Sequence, residues 1–337
     1  MLSVRKLVKT YPGGVTALRG IDLDVPPGMF GLLGPNGAGK STLMKILAGL
    51  LEASSGNVTF EGHDVLDDPA RVRARLGYLP QDFGFYPNLS GEAMLAYLLE
   101  LKGVDAPQGL KTLVAELLDR VNLTFAARRR LKGYSGGMRQ RLGIAQAIAG
   151  DPRLVIVDEP TAGLDPEERH RFYRILAELA HDRTVLLSTH IVEDVAVLCP
   201  RFAVISDGRL VATTTPAEAR ARLAAQIFEG EATNAALADL RQRHRITQAV
   251  LVEGDTNRVR IHVPDGAPPT GFERCTATLE DVYMTLVGAS HPAAPAEAAA
   301  AAARPAASGQ ATARPAVSSG PSDPPNPSGP TDPGGAA

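Results

Sequence analysis

The sequence predicts an α/β protein organised on a parallel sheet, and three observations predict it. An apolar run, Met29-Phe30-Gly31-Leu32-Leu33, leads into Gly34-Pro35-Asn36-Gly37-Ala38-Gly39-Lys40-Ser41-Thr42. That stretch fits G-x-x-x-x-G-K-[ST], a loop that joins a buried strand to a helix around a polyphosphate. A second run, Leu154-Val155-Ile156-Val157, is apolar throughout and closes on Asp158; strands covered on both faces of a parallel sheet read this way. Beyond it, helix-like and strand-like stretches alternate.

Residues 3–9, 17–25 and 29–33 read as short strands, separated by turns at Pro12-Gly13-Gly14 and Pro26-Pro27-Gly28. The helix beginning near Gly39 is amphipathic through Leu43, Ile46, Leu47 and Leu50. Residues 56–61 and 76–79 are further strand candidates. Helical spacing then takes over: Leu110, Leu113, Val114, Leu117, Leu118 and Val121 share a face, and Ser90-Gly91-Glu92 opens another helix before them. Residues about 88–149 therefore read as a helical subdomain set into the α/β core. A helix over 166–181 starts with Pro166 in its first position and Glu167 and Glu168 in its positive first turn. A strand at 184–188, a helix at 191–198 and a hairpin of 202–206 and 209–212 about Asp207-Gly208 complete a domain of residues 1–222.

Residues 223–287 read as a small α+β module, with helices at 235–243 and 279–287 and strands at 249–253 and 258–263. From 288 to 337 the chain is mostly Ala, Pro, Ser and Gly, with Val317 its only large apolar residue. Such a segment cannot bury enough surface to offset its ordering entropy, so a disordered tail is expected.

A formal net charge of −2 gives no electrostatic reason to expect nucleic acid as a partner. Cys199 and Cys275 are the only cysteines, too few for a zinc cluster or a disulfide framework. The N-terminal residues alternate like a strand and lack the apolar core of a signal peptide. No uncharged apolar run approaches the ~18 residues of a membrane helix. The expectation is a cytoplasmic chain that does not cross a membrane by itself.

Glycines 34, 37 and 39 let the backbone bend so that successive N–H groups point at phosphate oxygens. Lys40 reaches the β- and γ-phosphates, Ser41 offers a hydroxyl to Mg²⁺, and the helix start adds its positive end. A second glycine-opened helix start stands at Tyr134-Ser135-Gly136-Gly137-Met138-Arg139-Gln140-Arg141. Ser135 is a sound N-cap, but Gly137 weakens a first turn unless something must approach it closely.

Together these stretches resemble the ATP-binding cassette (ABC) ATPases over about residues 2–220. The loop at 34–42 resembles Walker A, and Leu154–Asp158 with Glu159 resembles Walker B and its catalytic carboxylate. Tyr134–Met138 resembles the signature, Gln81 the Q-loop, Gly163-Leu164-Asp165 the D-loop and His190 the switch histidine. Tyr11 stands where the family places an aromatic against adenine. Tyr134, Met138 and Gly163 depart from the commonest residues at their places; Met138 cannot make a strong side-chain hydrogen bond to a ribose.

The resemblance implies an ABC cassette: a parallel-sheet core with an antiparallel N-terminal β part and an inserted helical signature subdomain. It implies ATP held by Gly34, Pro35, Asn36, Gly37, Ala38, Gly39, Lys40, Ser41 and Thr42, and Mg²⁺ held by Ser41, Gln81 and Asp158. It further implies catalysis by Glu159, His190, Gln81 and Lys40. In this family the signature of one copy completes the site of another, so Ser135, Gly136, Gly137 and Asp165 imply a head-to-tail dimer with ATP between the copies. Gly77-Tyr78-Leu79-Pro80-Gln81, Phe85-Tyr86-Pro87-Asn88-Leu89-Ser90 and Leu279-Glu280-Asp281-Val282-Tyr283 resemble the type-2, export-type branch. There the cassette sits at the cytoplasmic face of the membrane beneath a separate membrane-spanning permease, and Phe83, Phe85 and Tyr86 lie where that partner docks. The other reading is an ABC ATPase of translation or DNA maintenance without a membrane partner. It fits less well, because the chain has one cassette, no heptads and no zinc cysteines.

Overall fold

Alternation along the strands decides how this chain layers. The computed structural model describes residues 1–81, 84–161, 163–265 and 267–290. β1 (Leu2–Thr10), β2 (Thr16–Val25) and β3 (Gly28–Leu33) precede the phosphate loop and α1 (Lys40–Leu47). β4 (Ser55–Phe60) and β5 (His63–Asp64) return to β1, giving an antiparallel sheet in the order β2-β1-β4-β5. α2 (Pro69–Arg73) leads to β6 (Leu76–Leu79), and α3 (Gly91–Lys102), α4 (Leu110–Arg120) and α5 (Gly136–Ile148) form the helical part. β7 (Leu154–Asp158), α6 (Pro166–Leu179), β8 (Thr184–Thr189), α7 (Val192–Leu198), β9 (Arg201–Ser206) and β10 (Arg209–Thr214) complete a six-stranded sheet. Its order is β10-β9-β3-β8-β7-β6, parallel except for β10.

Side chains of a strand alternate between faces, so each apolar run supplies two cores. Phe30, Leu32, Leu154, Ile156, Leu186, Ala203 and Ile205 pack with α1 and the antiparallel sheet. Met29, Leu33, Val155, Val157, Val185, Leu187, Phe202 and Val204 pack with α3, α4, α5 and α6. Burial on both faces is the reason these strands carry no polar alternation.

After β10, α8 (Pro216–Arg222) starts with a capping box between Thr215 and Glu218. β11 (Ile227–Thr233), α9 (Asn234–Arg243), β12 (Arg245–Glu253), β13 (Thr256–His262), β14 (Phe272–Arg274) and α10 (Leu279–Ser290) follow. The four strands pair antiparallel in the order β12-β13-β11-β14. α9 covers them with Leu237 and Leu240 against Phe228, Val259 and Ile261. α10 instead carries Leu279 and Val282 into the larger core.

β11 and β14 have no counterpart in the sequence reading. Gly230 and two glutamates hide β11, yet a Cβ at Gly230 would lie 2.7 Å from the Gly271 carbonyl oxygen, so the strand centre requires glycine. α10 runs past its expected end at residue 287, and the rest of the expected tail, 291–337, lies outside the described residues. Among the described residues no helix is long and apolar enough to cross a membrane.

Candidate functional site

Parallel strands that end together leave loops on one side of a sheet, and α/β proteins bind ligands there. β3 ends at Gly34, β6 near Gln81, β7 at Asp158 and Glu159, and β8 at Thr189 and His190. A cleft of roughly 300 Å³ opens among Ala17, Asn36, Gly37, Gly39, Lys40, Ser41, Thr42, Gln81 and Glu159.

The glycines of the loop are each required, for different reasons. Gly37 and Gly39 hold φ of 81° and 103°, the left-handed region that side chains resist. A Cβ at Gly34 would lie 2.3 Å from the Ile205 carbonyl oxygen, and one at Gly39 would lie 2.6 Å from that of Ala17. Ala38 is buried between them, while Pro35 and Asn36 turn the chain.

Lys40 is only 4% exposed. Its Nζ donates to the carbonyls of Gly34 and Pro35 at 2.8 and 3.1 Å and lies 3.2 Å from Glu159 Oε1. Glu159 Oε2 is 3.0 Å from His190 Nδ1, and with the carboxylate ionised the ring nitrogen carries the proton. Lys40, Glu159 and His190 thus form one hydrogen-bonded row. Glu159 leaves β7 at φ 48°, uncommon for a residue with a side chain, and its N–H is tied to the Ser188 carbonyl at 2.9 Å.

Asp158 is 1% exposed, and its Oδ1 has no hydrogen-bond partner among the described residues. Burial pushes its carboxyl upward, while the nearby Ser41 and Ser188 hydroxyls pull it down. A buried carboxylate oxygen without a donor, beside a hydroxyl and the Lys40 charge, suits a hard divalent cation. Among the described residues no group of three or more His, Cys, Asp or Glu side chains could hold a metal. An ion held by Ser41, Asp158 and Gln81 would take its other ligands from phosphate and water, as Mg²⁺ does.

The signature residues do not line this cleft. Ser135 caps α5, its Oγ accepting from the Met138 N–H at 3.1 Å. Gly136 is exposed with open space before it, its nearest neighbour being Leu164 at 4.0 Å from a built Cβ. Gly137 is buried because the Glu168 carboxyl packs on it, 2.6 Å from where a Cβ would stand. The close approach that Gly137 demanded is therefore made by Glu168 of the same chain, which lies 3.3 Å from Arg141 Nη2. Met138 is buried in the larger core. Asp165 caps α6 by accepting the Glu168 N–H at 2.8 Å. Tyr11 hydrogen-bonds through its hydroxyl to Thr42 Oγ1 at 3.2 Å, and Lys9 lies 5.5 Å from its ring centre.

The aromatic cluster after Gln81 divides. Phe83 lies outside the described residues. Phe85 packs against the larger core, so it is no part of an exposed cluster. Tyr86 is exposed and meets Tyr97 of α3 edge to face, ring centres 5.9 Å apart.

Sequence reasoning passed over Asp194, which lies buried behind the Glu159–His190 pair with Thr161, Tyr173 and Thr189. Two acids in the first turn of α7 read as ordinary helix-end charges. The available signal was a carboxylate four residues after His190 that falls beside Val195 and Leu198 on the apolar face of α7.

Comparison with known proteins agrees with this geometry. The family model described as ABC transporter matches residues 18–162. The daunorubicin/doxorubicin resistance ATP-binding protein DrrA of Streptomyces peucetius is 41% identical over 224 residues, 66% of this chain and 67% of that protein. The Nod factor export ATP-binding protein I of Burkholderia orbicola is 33% identical over 298 residues, 85% of this chain and 97% of that protein. Among solved structures, a dimeric post-hydrolysis state of the ATP-binding cassette MJ0796, bound to ADP and Pi, superposes with a TM-score of 0.59 at 25% identity. It covers 64% of this chain and 98% of that one. The nucleotide cleft, the six-stranded sheet behind it and these likenesses place the chain in the ABC transporter family, as one of its ATP-binding, ATP-hydrolysing proteins.

Proposed function

We propose that the chain powers export through a separate membrane-spanning partner, working at the cytoplasmic face of the membrane as a head-to-tail pair of copies. Residues 1–222 act as the cassette and 223–287 as an accessory module. The observation that carries the paired reading is Gly136, exposed at a capped helix start and not among the residues that line the cleft of its own chain. A helix start of this kind binds anions, and a second copy would bring it to the γ-phosphate. Asp165 and Ser135 then belong to the same shared site. The relatives, one a drug-resistance protein and one a Nod factor export protein, support export as the direction.

In this reading Lys40 and the loop amides orient the phosphates, Tyr11 stacks on adenine, and Glu159 accepts a proton from the attacking water. Mg²⁺, with Ser41, Gln81 and Asp158 as its protein ligands, supplies charge neutralisation for phosphoryl transfer. Both Glu159 oxygens are engaged, one by Lys40 and one by His190. A polyphosphate entering the loop competes for the Lys40 ammonium and so frees Oε1 for the water. His190 keeps the other oxygen fixed. Tyr86 and Tyr97 offer an exposed aromatic surface of the kind that protein partners cover.

Glu159→Gln keeps the shape of the site but cannot take the proton, so ATP should hold two copies together. Light scattering of this variant with ATP and Mg²⁺ is expected to give twice the monomer mass. A variant that stays monomeric rejects the paired reading.

A further inference from the structure

We infer that Asp194 is a positioning residue for ATP hydrolysis, fixing the loops of Glu159 and His190 to each other and to α6. The inference rests on the roles proposed above for Glu159 and His190.

Asp194 has no exposed surface. Its Oδ2 accepts from Thr161 Oγ1 at 2.5 Å and from Thr189 Oγ1 at 2.8 Å, and its Oδ1 accepts from the Tyr173 hydroxyl at 2.6 Å. All three donors are buried as well: Thr161 and Thr189 are 0% and 1% exposed, and Tyr173 is 5% exposed. Among the described residues Asp194 has no ion-pair partner, and it lines no part of the nucleotide cleft. A carboxylate buried without a cation is costly, so three neutral donors on it act as a restraint rather than as a source of net stability.

Each donor belongs to a different part of the site. Thr161 stands two residues beyond Glu159, whose left-handed backbone persists only where its surroundings over-determine it. Thr189 immediately precedes His190, and its Oγ1 also accepts the Ile191 N–H at 2.9 Å, so the chain is held on both sides of the histidine. Tyr173 lies on α6, the helix that Asp165 caps. One carboxylate thereby ties together the exits of β7 and β8 and the helix between them. The 3.0 Å contact between Glu159 and His190 is set from behind by this tie. Loss of the tie moves the general base without touching the phosphate loop, and a shift of about 1 Å at a reacting group lowers rates by about 100-fold.

The test compares kcat and ATP affinity in the full-length protein. Asp194→Ala is expected to lower kcat by about 100-fold, with the Kd for a fluorescent ATP analogue within about threefold of the parent. Asp194→Asn keeps an oxygen toward both threonines and turns its amide to the Tyr173 oxygen. It should therefore retain kcat within about threefold of the parent, a rescue that separates geometry from charge. Parental kcat in Asp194→Ala, a parallel collapse of ATP affinity, or an Asn variant as slow as the Ala variant each overturns the inference. If Asp194→Ala does not fold, Thr161→Val removes one donor at constant shape and should cost about tenfold in kcat; a parental rate overturns the inference equally. Glu159→Gln measured alongside separates the two levels. A parental rate there defeats the roles of Glu159 and His190, whereas a slow Glu159→Gln beside a fast Asp194→Ala defeats the inference alone.

Discussion

Asp158 is a residue held at a cost. Its burial raises the carboxyl above the ordinary 3.8, so the folded protein grips that proton more tightly than the unfolded chain does. Between the ordinary and the raised value the unfolded state is already ionised while the folded state is not. Stability therefore falls as pH rises through that window. Asp158→Asn removes the penalty together with the carboxylate proposed to bind Mg²⁺. Calorimetry at pH 7 should show a higher Tm for Asp158→Asn than for the parent, and the difference should shrink as pH approaches the ordinary carboxylate range. A lower Tm for the variant at pH 7 would mean that the carboxylate stabilises the fold. The Glu168 carboxyl fits the space that Gly137 leaves and meets Arg141 there, so one missing side chain in the signature is matched by one on α6.

At the scale of elements, α10 is bound by charge as well as by packing. Asp281 is 1% exposed and accepts from Arg260 Nε and Nη2 at 3.2 and 2.7 Å, from Thr247 at 2.5 Å and from Thr278 N–H and Oγ1, both at 2.8 Å. Burial pushes its carboxyl up, but Arg260, Thr247 and Thr278 outweigh burial and hold it below the ordinary range. A depressed acid contributes stability that is present above pH 3.8 and lost as pH falls below it. Arg260→Ala strands that carboxylate in the interior and should cost about 3 kcal/mol in urea unfolding at pH 7, with the cost shrinking in acid. The acidic motif at 279–283 was legible as a capped helix start; its bond to β13 was not, because Arg260 lies on another strand. The same division runs through the chain. β3, β7, β8 and β9 were legible because burial on both faces leaves uninterrupted apolar runs. The start of β12 was missed because Thr247 and Gln248 break its pattern, although Thr247 is buried against Asp281. The phosphate loop was legible because phosphate chemistry ties residue types to fixed spacing, and Asp158, Glu159 and His190 entered through the resemblance. Asp194 was not legible, because what it holds comes from three separate stretches.

For the molecule as a whole, the sheet order has a consequence in time. β3 lies between β8 and β9, both made long after it. The phosphate loop leans on the same late segments: Gly34 N–H on the Thr189 carbonyl at 3.3 Å, and the Ala38 carbonyl on Gly208 N–H at 3.0 Å. On the ribosome, the stretch that spells out nucleotide binding most plainly lacks the last of these supports until Gly208 has been added, a delay on the order of ten seconds at ordinary elongation rates. A fragment of residues 1–150 carries the whole motif and should bind no fluorescent ATP analogue; saturable binding by that fragment would contradict this. Refolding of the full chain should be correspondingly slow, since pairing distant strands must precede closure of the sheet. During synthesis, then, the chain should be blind to ATP until its sheet is nearly complete.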